Sequence, residues 1–162
     1  MVRFKNRYLL VQIHFDDQPQ TSWSNAKTAD TSFDGRTLHY ALKDSLLTNF
    51  GDHGAGKTAA STNVKYYSPH TTTGIVRCAR DDLSFVWAAL TLMSKVKGPG
   101  NKTYSVTVRV MHVSGTIKSA QTKAIKFDTE LIRDMVTTGV LPVAESQELM
   151  TRVKKEIEAL EM

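Results

Sequence analysis

A strict alternation of residue types along the first fifteen positions restricts the fold more than any other feature of this sequence. Cations occupy the odd positions from 3 to 7, and apolar side chains occupy the odd positions from 9 to 15. Successive side chains of an extended strand point to opposite sides, so both groups share one face. That face would lie half in a hydrophobic core and half in front of an anionic group; a charged segment before an ordinary strand is the alternative. The residues concerned are Arg3, Lys5, Arg7, Leu9, Val11, Ile13 and Phe15.

The remaining periodic segments predict an alternating order of strands and helices. Apolar residues recur at helical spacing in two segments, the first of them ended by Gly51, and alternate in the first and last strands, while Pro69-His70 predicts a hairpin turn between the second and third strands. The order β-α-β-β-α-β is that of an α+β, RRM-like (ferredoxin-like) sandwich. Two further helical segments are predicted near Thr116–Thr138 and Pro142–Leu160. The six main elements are Arg7–Phe15, Thr37–Phe50, Thr62–Ser68, Thr72–Ala79, Asp81–Lys97 and Thr103–Met111.

Charge divides the chain into a basic part and an acidic part. Residues 61–127 hold ten Lys and Arg against two Asp and Glu, whereas residues 128–162 hold four against eight. We therefore predict an RRM-like RNA-binding domain over 1–127, with an inserted loop at about 16–36, and an acidic helical extension over 128–162. The extension is expected to contact protein or solvent. A soluble protein that is merely basic is the alternative interpretation.

Several classes of protein are excluded by composition. Cys78 is the single cysteine, so no internal disulfide can form, and the position of this residue in a predicted strand suggests a small core residue. No run approaches the roughly 20 apolar residues of a membrane span, and Met1-Val2-Arg3 is not followed by the apolar stretch of a signal peptide. We therefore expect an intracellular protein without a membrane partner.

Residues 51–58 match the phosphate-binding P-loop pattern, Gly-x-x-x-x-Gly-Lys-Thr. A P-loop follows a strand and opens a helix, so that backbone N–H groups converge on the phosphates. Here a helix is predicted before the motif and a strand after it. The context therefore argues against nucleotide hydrolysis. A flexible glycine loop that carries Lys57 close to RNA, or a plain connector, is the preferred explanation.

The third predicted strand and the segment after the last one supply further candidates for phosphate contact. Val76 and Cys78 are expected to face the helices, which leaves Thr73, Ile75 and Arg77 on an open sheet face without an aromatic ring for base stacking. Cations near the strand end suit phosphate, and a Ser-Gly-Thr turn that opens a helix offers N–H groups and hydroxyls. Solvated charge and ordinary capping are the alternatives.

The predicted RNA-binding residues are Arg3, Lys5, Arg7, Lys57, Lys65, Arg77, Arg80, Ser114, Gly115, Thr116, Lys118 and Lys123. Catalytic and metal-binding residues are not predicted. The five histidines are scattered without metal-ligand spacing, and no nucleophile is accompanied by a base.

Four short blocks resemble a known family in order and spacing. The opening ten residues, Thr73–Cys78, Ala89–Lys95 and Val113–Lys118 are similar to Pop-five-type protein subunits of ribonuclease P and ribonuclease MRP. The resemblance covers roughly residues 1–127 and fades over Asp16–Arg36 and beyond Asp128.

This resemblance implies a non-catalytic subunit that stabilises the catalytic RNA core and helps to position precursor tRNA for removal of the 5′ leader. The implied partners are the catalytic RNA of ribonuclease P, precursor tRNA and other ribonuclease P/MRP protein subunits, including the TIM-barrel-like thirty-kilodalton type. The chain itself would bind no cofactor, and magnesium would serve the RNA. Eukaryotic members work in the nucleus and nucleolus. A general RNA-binding or ribosome-assembly domain of the same fold is the alternative.

Overall fold

A computed structural model describes residues 5–16 and 33–160 and confirms the RRM-like α+β fold. The strands are β1 (Asn6–Phe15), β2 (Asn63–Ser68), β3 (Thr73–Ala79), β4 (Lys95–Lys97) and β5 (Thr103–Ser114). The helices are α1 (Gly35–Ala59), α2 (Leu83–Leu92), α3 (Ile117–Thr137) and α4 (Val143–Glu158). Short 3-10 turns cover Arg80–Asp82 and Pro99–Asn101.

The antiparallel sheet has the order β2-β3-β1-β5-β4, with β1 at its centre. The segment after the second helix differs from the prediction, which extended that helix to Lys97. Helix α2 ends at Leu92, and Lys95-Val96-Lys97 forms an edge strand on the first residues of β5. Val96 is buried opposite Tyr104, so burial of one apolar side chain and ladder hydrogen bonds favour the strand over another helical turn.

One face of the sheet packs against α1 and α2, as the alternation in β1 predicts. Leu9, Val11 and Ile13 are fully buried there, together with Val76 and Cys78 of β3. The inward orientation of Val76 and Cys78 is therefore confirmed. Phe15 contributes at the rim of this core, where its ring meets the rings of other aromatic residues edge to face.

The opposite face of the sheet is covered by helices, so the prediction that this face is open is wrong. Helices α3 and α4 form a hairpin, here called the C-terminal hairpin, that lies over β1, β3 and β5. Thr73 and Ile75 are fully buried beneath it, and Leu10 is 2% exposed. The physical reason is that β1 and β3 carry apolar residues on both faces, and the amphipathic hairpin offers a matching apolar stripe. Its buried residues are Ile117, Ala120, Ala124, Ile132, Leu149, Val153 and Ile157.

Helix α1 is bent at Gly51. The predicted helix end at Phe50 is confirmed in part, because Gly51 adopts a φ of 63° that favours glycine. The chain then resumes a helix to Ala59 instead of forming the predicted flexible loop. Gly54 permits this second half to pack closely, since a Cβ there would collide with the side chain of Phe50.

The predicted insert falls mostly outside the described residues, which omit 17–32. Phe33 is buried, and Asp34 caps α1 by accepting a hydrogen bond of 2.8 Å from the Thr37 backbone N–H. This N–H lowers the pKa of Asp34 below its ordinary value.

Both predicted C-terminal helices are confirmed, and the domain boundary that was placed between residues 127 and 128 lies inside α3. Within the described ranges, no helix is long and apolar enough to span a membrane.

Candidate nucleic-acid interface

Three strand ends meet at one end of the sheet and bring distant cations together. Asn6 at the start of β1 pairs with Ala79 at the end of β3, and Tyr8 pairs with Ser114 at the end of β5. The backbone N–H of Arg80 donates to the carbonyl of Lys5 at 2.8 Å. We call this region the basic end; it consists of Lys5, Arg7, Arg77, Arg80 and the start of α3 through Lys118.

Arg7 and Arg77 lie on opposite faces of the sheet at the basic end. Arg7 shares the face of α1 and α2 and stands opposite Cys78, and its Nη1 donates to the carbonyl of Asn6 at 3.0 Å. Arg77 stands opposite Tyr8 on the other face, and its Nε is buried without an acceptor. Among the described residues, neither guanidinium forms an ion pair with a carboxylate. Both therefore keep donors available for an external anion.

Arg80 extends the basic end at the exit of β3. Its Nε lies 3.2 Å from an Asp81 carboxylate oxygen, and both side chains are substantially exposed to water. An exposed ion pair of this kind contributes about 0–1 kcal/mol. A phosphate can therefore displace Asp81 from Arg80 at little energetic cost.

The turn before α3 is held by its own hydroxyls. Ser114 Oγ accepts from the Thr116 N–H at 3.2 Å and donates to the Thr116 carbonyl at 2.9 Å. Thr116 Oγ1 accepts from the Ser119 N–H at 3.3 Å and caps the helix. These two hydroxyls therefore cap the start of α3 by bonding to backbone groups. The positive end of the helix dipole lies beside exposed Gly115. It is not neutralised locally, because the first turn of α3 contains no acidic residue.

The remaining predicted cations are placed less uniformly. Lys118 belongs to the basic end and Lys123 lies further along α3; both are exposed. Lys65 is half-buried at a register shift in the outermost strand β2. Arg3 lies outside the described residues.

Lys57 has partners inside the protein and belongs to the packing of α1 against α2. Its Nζ lies 3.8 Å from Asp82 Oδ1 and 4.9 Å from the centre of the Phe85 ring. Asp82 is buried and also accepts from Ser61 Oγ at 2.7 Å. These contacts, together with the helical conformation of residues 52–59, give Lys57 a structural role.

Lys57→Ala is accordingly expected to lower the unfolding free energy by about 1–2 kcal/mol, because Asp82 loses its cationic partner in a buried setting. ATP and GTP binding, measured by calorimetry, is expected to be undetectable in both proteins. Lys43→Ala, which removes an exposed lysine of the same helix, is the control and should change stability by less than about 0.5 kcal/mol. Nucleotide binding by the wild type that disappears in Lys57→Ala would contradict this assignment.

Sequence reasoning missed a buried polar group beneath the C-terminal hairpin. Asp128 is 1% exposed; its Oδ1 accepts from Thr73 Oγ1 at 2.8 Å, and its Oδ2 has no partner. Burial raises the pKa of Asp128 to about 6. The Tyr66 hydroxyl is also buried without a partner. The spacing of Asp128 could have indicated its burial, since it falls between Ala124 and Ile132 on the apolar stripe of α3.

No catalytic arrangement is visible in the part of the chain that the structure describes. Burial raises the pKa of the Cys78 thiol to about 11, so this thiol is not a nucleophile at neutral pH. A cavity of about 260 Å³ lies in the bend of α1 and has Lys43 and Asp44 as its charged neighbours. Over residues 5–16 and 33–160, no three His, Cys, Asp or Glu residues are grouped to hold a metal ion.

Fold and site together define an RRM-like domain with cations brought together where three strand ends meet, at one end of its sheet. Comparison with known proteins gives the particular family. Residues 7–125 match the Rpp14/Pop5 family, and the chain belongs to this family.

Two relatives illustrate the similarity. The Ribonuclease P/MRP protein subunit POP5 of Schizosaccharomyces pombe is 40% identical over 126 residues, which cover 78% of this chain and 87% of the relative. The probable ribonuclease P/MRP protein subunit POP5 of Arabidopsis thaliana is 38% identical over 130 residues, covering 80% of this chain and 81% of the relative.

The fold is also similar to a chain in the cryo-EM structure of yeast ribonuclease MRP. The TM-score is 0.50 at 13% identity, and the match covers 72% of this chain and 79% of that chain. At this level of identity the likeness concerns the fold alone.

Proposed function

We propose that this chain is a non-catalytic protein subunit of ribonuclease P, and also of ribonuclease MRP, that binds the RNA of the complex through the basic end. There it stabilises the catalytic RNA core and helps to hold precursor tRNA for 5′-leader removal. The observation that carries this proposal is the convergence of Lys5, Arg7, Arg77 and Arg80 at one end of the sheet. Family membership favours this function over a general RNA-binding or ribosome-assembly role.

The chemistry of cleavage is assigned to the RNA and its magnesium ions. The protein contributes cations, and each Lys or Arg that neutralises a phosphate adds roughly 0.7–0.9 to the salt slope of binding. Further partners in this proposal are precursor tRNA and other protein subunits, including the TIM-barrel-like thirty-kilodalton type. Assembly would take place in the nucleus and nucleolus.

Combined replacement of Lys5, Arg7 and Arg80 by Ala is expected to weaken binding to ribonuclease P RNA roughly tenfold at physiological salt. The salt slope should fall by about 2–3, since three phosphate contacts are lost. Folding should be little changed, because Lys5 and Arg80 are exposed and Arg7 is only half-buried. Affinity measured between 50 and 300 mM salt, with thermal melting beside it, checks this expectation.

A matched control removes the same charge elsewhere. Lys43 lies on α1, and Lys95 and Lys97 lie on β4, which pairs with the first residues of β5 and so lies away from the basic end. Their combined replacement by Ala should leave the salt slope within about one unit of the wild type. Equal losses in the two triple variants would mean that net charge, and not the basic end, drives binding.

A further inference from the structure

We infer that this chain recognises the phosphodiester backbone of RNA at the basic end and takes no part in base stacking on its sheet. The inference rests on the proposed function and specifies what the same surface recognises. It separates this protein from RRM-like domains that stack bases on an exposed sheet face.

The first argument is that the rings on the relevant sheet face are covered. Tyr8 on β1 and Tyr66 on β2 point to this face and are 8% and 7% exposed. They lie in one apolar cluster with Leu10 and Ile75 beneath the C-terminal hairpin. A base has no access to a ring that is already packed against a helix.

The second argument is that the cover is fastened at several points. Gln121 on α3 donates to the carbonyls of Ile157 and Leu160, both at 2.8 Å, and so ties the end of α4 to α3. Thr73 on the sheet donates to Asp128 on α3. Together with the apolar cluster, these contacts hold the hairpin over the strands that would otherwise receive bases.

The third argument concerns the cationic groups at the basic end. Arg7 and Arg77 approach the sheet end from opposite faces, and the start of α3 adds its positive dipole end. The ideal Cβ position on Gly115 lies 3.6 Å from Arg7 Nη1, so the backbone of the turn and this guanidinium are close neighbours. Guanidinium groups and helix N-termini both suit phosphate oxygens.

The test uses the full chain and three fluorescent RNA probes. These are a uridine 20-mer, an abasic ribose-phosphate 20-mer and a 20-base-pair duplex. We expect the abasic strand to bind within threefold of the uridine strand, and the duplex to bind at least as tightly because its phosphates are denser. One stacked base would contribute roughly 5- to 150-fold. A loss of tenfold or more on removing the bases, or a tenfold preference for the uridine strand over the duplex, would overturn the inference.

Variants locate the contact. Arg77→Gln should weaken binding to the uridine and abasic strands by the same factor, roughly three- to tenfold. Tyr66→Leu and Trp87→Leu should change neither affinity by more than twofold, provided melting shows folded protein; Trp87 is included because its ring is 43% exposed on α2. A base-dependent loss in either aromatic variant would contradict the inference while leaving the proposed function intact. Failure of all three probes to bind would refute the RNA contact itself.

Discussion

Ile75→Ala is expected to lower the unfolding free energy by about 2–5 kcal/mol, the range for removal of a large aliphatic side chain from a packed core. Ile75 is fully buried between the sheet and the C-terminal hairpin. If the sheet face were open, as the strand pattern alone suggests, the same change would remove an exposed side chain and cost less than about 0.5 kcal/mol. Chemical denaturation of the full chain measures the difference directly.

Val143→Ala is the matched control for this prediction. Val143 begins α4 in the same hairpin but is 67% exposed, so its truncation should leave stability nearly unchanged. A loss below about 1 kcal/mol for Ile75→Ala, equal to that of Val143→Ala, would mean that the hairpin does not cover β3 in solution.

Between acidic pH and pH 8, Asp128→Asn is expected to gain roughly 3 kcal/mol of stability relative to the wild type, the value that corresponds to a pKa of about 6 against an ordinary 3.8. Burial disfavours the charged carboxylate, so the folded state prefers the protonated form. The stability that this group contributes is fully present below about pH 3.8 and is lost as the pH rises through about 6. Asparagine stays neutral and can still accept the hydrogen bond from Thr73.

The measurement is the difference between the wild-type and Asp128→Asn unfolding free energies from pH 4.5 to 8. The difference is needed because other groups titrate nearby: burial lowers the pKa of His14, His39 and His70, which weakens the fold on acidification. Tyr66, Thr71 and Thr73 surround Asp128 on the side of the sheet. From α4, Glu156 interacts electrostatically with Tyr66 and His70, and Arg152 with His70. A difference that does not grow with pH would disprove the buried charge.

Local pattern was enough to place most of the elements. Period-two alternation located β1 and β5, a Pro-His turn separated β2 from β3, and helical spacing located α1 to Phe50 and α2, whose end was placed too late at Lys97. These segments are predictable because the period of a strand or helix is a property of consecutive residues. The three-residue strand β4 was missed, since so short a segment carries no period and is stabilised by its partner β5.

The candidate site was predictable as a list of cations and not as a place. Lys5 lies more than 70 residues before Arg77 and Arg80, and only the antiparallel register of β1 with β3 makes it their neighbour. The same list included Lys57, whose carboxylate partner Asp82 lies in the 3-10 turn before α2 and whose ring partner Phe85 lies on α2. Charge is visible in a sequence, whereas the neutralisation of a charge depends on distant residues.

The sequence by itself determined the order of the longer strands and helices, the apolar inner face of β1 and the excess of cations before residue 128. The tertiary structure alone decided that the second apolar face of the sheet is filled by the C-terminal hairpin, that Asp128 is buried there, and that three strand ends form one basic surface. The reason is that a residue pattern specifies which side of an element avoids water, but the element that covers that side is chosen by packing between segments far apart in the chain.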